Sequence, residues 1–102
     1  MIVAVAIFEL HIPYAQSLKD KRMVMRSLRD KLRSRFEISA GEVALQDLHQ
    51  RGRVGLSFIA LDQASAGSLL DRIRAFVEAN TDAAVNGWTS ELLDFDETVS
   101  LT

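Results

Sequence analysis

Apolar positions run almost unbroken from Ile2 to Ile12, with Glu9 and His11 the two interruptions, and the single proline, Pro13, stops the run. β-branched and large apolar residues at this density predict a strand. Both alternating faces begin apolar, Ile2, Ala4, Ala6, Phe8 and Leu10 on one and Val3, Val5 and Ile7 on the other. Such a strand belongs in the middle of a sheet, covered on both sides over much of its length. Ser17 then suits an N-cap, and Leu18, Val24, Met25, Leu28 and Leu32 fall within an arc of roughly 120° at ~100° per residue. A helix is expected from about Leu18 to Arg35.

Phe36 to Leu45 has the length and the β-branched residues of a second strand, and the polar stretch Gln46 to Gly52 reads as a loop. From Arg53 to Leu61 the alternation returns, with Val54, Leu56 and Phe58 on one face. The short connection predicts a hairpin. Asp62 caps the next segment, where Leu69, Leu70, Ile73, Phe76 and Val77 recur at helical spacing until Asn80 ends it. Val85 to Val99, with Trp88, Leu92, Leu93 and Phe95, reads as a last irregular strand, with residues 93–102 as a loosely ordered tail.

The order β, α, β, β, α, β fits the split βαβ arrangement: a ferredoxin-like α+β fold, one four-stranded antiparallel sheet with two helices on one face. Right-handed crossovers make strands one and three the central pair. A hairpin-based roll would instead leave the apolar first strand at an edge, where it would invite aggregation. The topology brings the end of strand one at His11, the helix start at Ser17 and Lys19, the loop Gln46 to Gly52 and the start of strand four to one edge. A small polar site would lie there. The opposite sheet face is left without a helix, so self-association as a homodimer through the open sheet face is expected unless the segment Leu92 to Phe95 folds over it.

The chain has 102 residues, 48% apolar and 25% charged, which suits one domain over 1–102 with its own core. No window approaches a membrane span, no basic region precedes the apolar start, and cytoplasmic is the expectation. Cysteine is absent, which removes disulfides, thiolate metal sites and a cysteine nucleophile. The glycines match neither a phosphate loop nor a dinucleotide fingerprint, so no cofactor is expected.

Net charge is only -2, but eight of the twelve basic residues lie between Lys19 and Arg35, opposed there by Asp20 and Asp30 alone. From Glu78 onward the chain holds six acidic residues and no basic one. Lys19, Arg22, Arg26, Arg29 and Arg33 follow a 3, 4, 3, 4 spacing, which aligns them in one stripe beside the apolar arc. Cations in line repel one another, and a polyanion relieves that repulsion by releasing its own counterions. The plainer alternative is a solvated face neutralised by Asp20, Asp30 and acidic residues from elsewhere. Arg51 and Arg53, flanking Gly52, are expected to extend the basic surface, or to be two solvated arginines of a turn. No aromatics interleave with the stripe, so phosphate and shape contacts, not base stacking, are the expected mode.

Catalysis has a weaker basis. His11, Glu9, Asp47 and His49 collect near one edge, and a histidine beside a carboxylate is a common acid-base pair. No motif supports it: two histidines without cysteine make a poor zinc site, and Ser17 lacks a nucleophile elbow. A non-catalytic, metal-free protein is the expectation, with His11 at a strand end and His49 in water.

The run L-H-I-P-Y-A-Q-S-L-K-D-K-R (Leu10 to Arg22), then S-L-R-D-K-L-R-S-R-F (Ser27 to Phe36), Glu42-Val43 and Q-D-L-H-Q-R (Gln46 to Arg51), resembles the YlxP-like family of small bacterial proteins over about residues 1 to 80. The S-L-K-x-K-R segment carries the resemblance best. It implies a ferredoxin-like domain without established enzyme activity, encoded among genes for translation initiation and ribosome maturation. Three readings follow: a module binding ribosomal RNA or ribosomal particles through Lys19, Arg22, Arg26, Arg29, Arg33, Arg51 and Arg53; a protein-interaction module whose basic helix meets an acidic partner; and a small enzyme using His11 and His49.

Overall fold

Six elements follow one another in the computed structural model, which describes residues 1–102 throughout. They are β1 (Ile2–His11), α1 (Leu18–Arg35), β2 (Ser39–Ala44), β3 (Arg51–Ala60), α2 (Gln63–Ala79) and β4 (Ala84–Asp94). The strands form one antiparallel sheet in the order β2-β3-β1-β4, so β1 and β3 are the central pair. This is the ferredoxin-like α+β layout, with both helices on one face.

Alternation along β1 decides which side is covered. Ile2, Ala4, Ala6, Phe8 and Leu10 are buried beneath the helices, together with Val54, Leu56 and Phe58 of β3. The helices close this core with Met25, Leu28 and Leu32 from α1 and Leu70, Ile73 and Val77 from α2. Burying a side chain of this size contributes about 1.5–3 kcal/mol. Phe8 stacks on Trp88 of β4 at 4.8 Å between ring centroids, and Phe36 meets Phe76 edge-on at 5.4 Å, which ties the end of α1 to α2.

Local chemistry sets the element ends. Ser17 Oγ accepts from the Asp20 amide at 3.1 Å while Asp20 Oδ2 accepts from the Gln16 amide at 3.0 Å, a reciprocal cap that starts α1. Asp62 Oδ1 accepts from the Ser65 amide at 2.8 Å and starts α2; that bond to the charged form holds its carboxyl below the usual range. In β4 a bulge opposite Phe8 and Glu9 has Gly87 at φ +73°, a left-handed conformation that favours glycine.

Several boundaries move. β2 begins at Ser39, because Phe36 is buried as the C-cap of α1 and its amide donates to Leu32 O. β3 begins at Arg51, two residues early, since β1 runs on to His11 and offers it a ladder partner. Leu93 and Asp94 belong to β4 and pair with Val3 and Ile2, so the tail starts at Phe95. Phe95 still exchanges two backbone hydrogen bonds with Met1, both 2.9 Å. Leu92 to Phe95 therefore continue the β1–β4 ladder and do not fold over the open face, where Val5, Ile59 and Leu93 are exposed. No helix is long and apolar enough to cross a membrane.

Candidate nucleic-acid interface

α1 leans over the edge strand β2, and its apolar stripe contains one residue of the wrong polarity. Lys21 lies four residues before Met25 and seven before Leu28, so the helix drives it into the core side, where it is fully buried. Its Nζ donates to three backbone carbonyls, Leu45 O at 2.8 Å, Gln46 O at 3.2 Å and Arg51 O at 3.3 Å. Glu42 Oε2 stands 3.0 Å away as counter-charge, without a hydrogen bond of its own. Leu45 takes φ +64°, which turns the chain out of β2 so that the loop carbonyls converge on the ammonium. Sequence reasoning missed this pair, although the i, i+4, i+7, i+11 spacing of Lys21, Met25, Leu28 and Leu32 signals it.

The basic stripe lies on the flank of α1 that faces solvent and β2. Lys19, Arg22, Arg26 and Arg33 are exposed and Arg29 is half-buried. Two of the five are engaged internally. Arg29 donates through Nε and Nη2 to its neighbour Asp30, both at 3.2 Å, and Arg33 Nη2 donates to Ala40 O at 2.9 Å, fastening α1 to β2. Lys19, Arg22 and Arg26 meet no carboxylate within 4.0 Å and make no hydrogen bond to the protein. Neutralisation by neighbouring acids, the plainer expectation, thus reaches Arg29 and stops. Arg22, Arg26 and Arg29 line a shallow groove of about 230 Å³ against Gly41 and Glu42 of β2. Glu42 is the one carboxylate at its floor, and it is already matched by Lys21.

Arg51 and Arg53 do not extend this surface. Gly52 and Val54 point beneath the helices, where a Cβ on Gly52 would sit 2.8 Å from Met25 Cε, so the arginines between them point to the opposite, open face of the sheet. There both clasp Glu9. Arg51 Nε and Nη2 donate to its two carboxylate oxygens at 3.0 and 3.2 Å, and Arg53 Nε donates to Oε1 at 3.0 Å. These bonds, Arg51's first, hold the Glu9 carboxyl below its ordinary range and push the Arg51 guanidinium up.

The expected edge does form: Ile12 N donates to Gln50 O at 2.8 Å, and Gln50 Nε2 reaches the Pro13 and Ala15 carbonyls at 3.2 and 3.3 Å. His11 lies there opposite Arg51 and Ala84, but it makes no hydrogen bond to Glu9, whose oxygens the arginines occupy. Asp47 and His49 are exposed in the loop. The four candidates share an end of the sheet without forming an acid-base pair, and no group of three or more metal-ligating side chains converges anywhere.

The comparisons place the chain in a family and leave its chemistry open. Over 65 residues the chain is 29% identical to the uncharacterized protein YlxP of Bacillus subtilis (strain 168), a stretch covering 64% of this chain and 71% of that one. A family described as protein of unknown function (DUF503) matches residues 3–89, and the resemblance seen in the Leu10 to Arg22 segment is thereby confirmed: the chain belongs to the DUF503 family.

Proposed function

We propose that the protein is a non-catalytic module that binds base-paired RNA through the phosphate backbone, using the exposed flank of α1. The observation carrying this reading is that Lys19, Arg22 and Arg26 have no carboxylate partner in the fold. They stand beside a groove whose one acidic residue is cancelled by Lys21. From Lys19 to Arg26 the helix rises about 10 Å, enough to address more than one phosphate. A duplex is favoured over a single strand because the flank carries no aromatic platform for unstacked bases, whereas double-stranded RNA is recognised by shape, phosphates and 2′-hydroxyls. The implied setting among genes of translation and ribosome maturation makes ribosomal RNA the natural source of such duplexes.

The test is cosedimentation with ribosomal particles over a salt series, with wild type compared with the pair Arg22→Glu and Arg26→Glu. Retention that weakens steeply with salt, disappears in the charge-reversed protein and is destroyed by nuclease supports the reading. Retention that survives nuclease points to an acidic protein partner instead, and retention unaffected by the reversals removes α1 from the interface.

A further inference from the structure

The open sheet face carries an apolar band with a net positive group beyond one end and an unpaired carboxylate at its side. Outward from β1 stand Val3, Val5 and Ile7, flanked by Ile59 of β3, 69% exposed, and Leu93 of β4, 54% exposed. Beyond the band in one direction lie Arg51 and Arg53, sharing the single charge of Glu9, which leaves that end net positive. Beside the band on β4, level with Val5, Glu91 is exposed and in no ion pair.

The ladder registers fix where these charges sit. Arg53 pairs with Glu9 on one side of β1, and Glu91 pairs with Val5 on the other. Ile7 is midway between Val5 and Glu9 on the strand between them, so it marks the midpoint of the Arg53–Glu91 diagonal. A two-fold axis in the plane of the face, through Ile7 and perpendicular to that diagonal, exchanges the two positions. It brings Arg53 of each copy onto Glu91 of the other and Ile7 against itself. With strands about 4.8 Å apart and residues about 3.4 Å apart along them, the strands of the two sheets cross at about 70°, closer to the orthogonal than to the aligned packing of sheets. Arg53 spends only Nε on Glu9, so its outer nitrogens remain for the second carboxylate.

We propose that the protein forms a homodimer through this face, with Ile7 on the axis and two symmetric Arg53–Glu91 pairs at its corners. The proposal is independent of RNA binding, because α1 lies on the other side of the sheet and remains exposed in both copies.

The experiment is sedimentation equilibrium of the full chain from micromolar to submillimolar concentration. Wild type is expected at twice the mass of one chain. Glu91→Arg, which sets two like charges together twice, is expected to weaken association about tenfold or more, and adding Arg53→Glu to it to restore most of the loss. Ile7→Lys is expected to be monomeric, with far-UV circular dichroism and thermal unfolding confirming that each variant folds. A monomeric wild type overturns the proposal and leaves the face to a different protein. So does a Glu91→Arg protein that associates as wild type does, or a folded double variant that fails to recover. If the double variant does not fold, Glu91→Arg and Ile7→Lys decide alone.

Discussion

The ammonium of Lys21 and the carboxylate of Glu42 lie 3.0 Å apart across the seam between α1 and the edge strand β2, with 1% and 21% of the two side chains exposed. A buried charge is tolerated when it is both paired and fully hydrogen-bonded, and the carbonyls of Leu45 and Gln46 in the loop and of Arg51 at the start of β3 complete what Glu42 begins. The pair therefore does two things. It anchors the β2–β3 loop to the helix, and it cancels the carboxylate that would otherwise neutralise Arg22 and Arg26 in the groove above it.

Replacing Lys21 by Met keeps the volume and deletes the charge. Three carbonyls and a nearly buried carboxylate then lose their partner, a loss expected to cost about 3–5 kcal/mol. That is a large share of the ~5–15 kcal/mol that holds a domain of this size together. Urea unfolding should show a lower midpoint at unchanged slope. Lys21→Met combined with Glu42→Leu should recover part of the loss, since no carboxylate is then stranded. A Lys21→Met protein as stable as wild type would mean that the ammonium holds nothing.

Glu9 predicts a pH dependence of definite sign. Its carboxyl is held below the ordinary value of 4.5 by bonds from Arg51 and then Arg53, so the folded state favours the ionised form more than the unfolded chain does. The stabilisation is fully present above the unfolded value and is lost as pH falls from there through the lowered folded value. Asp62, Asp96 and Glu97 are shifted the same way and add to the acid limb. Thermal unfolding followed from neutral pH into this window should fall more steeply for wild type than for a protein with both Arg51→Ala and Arg53→Ala. Parallel curves would detach Glu9 from the acid limb.

How much was legible in the chain follows from which signals are local. The unbroken apolar run of β1 named a central strand, and periodicity with Ser17 and Asp62 as caps named both helices, because these depend on neighbours within a few residues. The basic stripe was legible as a row but not in its occupancy: that Arg33 is used by Ala40 O and Arg29 by Asp30 depends on how closely α1 approaches β2 and on side-chain rotamers. Arg51 and Arg53 were expected beside α1 because the loop is near the helix start. The alternation Arg51, Gly52, Arg53, Val54 already implies the opposite face, since a strand that buries Gly52 and Val54 under the helices must turn its arginines away. Lys21 was missed because a lysine on an apolar stripe is ordinarily read by its charge, not by its place in the period.

Two glycines should respond to alanine in opposite directions, and neither response comes from a clash. A Cβ on Gly67 or on Gly87 meets no atom within 4 Å. Gly67 is inside α2, where alanine removes unfolded-state freedom and should raise stability by about 0.5–1 kcal/mol. Gly87 holds φ +73° at the β4 bulge, where an L side chain is strained and alanine should cost about 1–2 kcal/mol. Chemical denaturation of the two variants side by side measures both signs. If Gly87→Ala is neutral, the bulge relaxes and does not fix the register of β4 against Glu9.

Salt dependence separates the two arginine groups on opposite faces of the sheet. If Arg22 and Arg26 each neutralise one phosphate, replacing either by alanine should lower the slope of log affinity against log salt by about 0.7–0.9 as well as weakening binding at any one salt concentration. Arg51 projects from the other face, already bound twice by Glu9, and Arg51→Ala should leave both the slope and the affinity for duplex RNA where they were. Arg33 is intermediate, because its guanidinium is partly spent on Ala40 O, and its removal should cost stability more than slope. Filter binding to a short RNA duplex over a salt series reads all four substitutions. An unchanged slope for Arg22→Ala and Arg26→Ala, or a drop for Arg51→Ala equal to theirs, would place the RNA elsewhere on the molecule, because only the α1 flank combines exposed cations with a floor carboxylate that Lys21 has already neutralised.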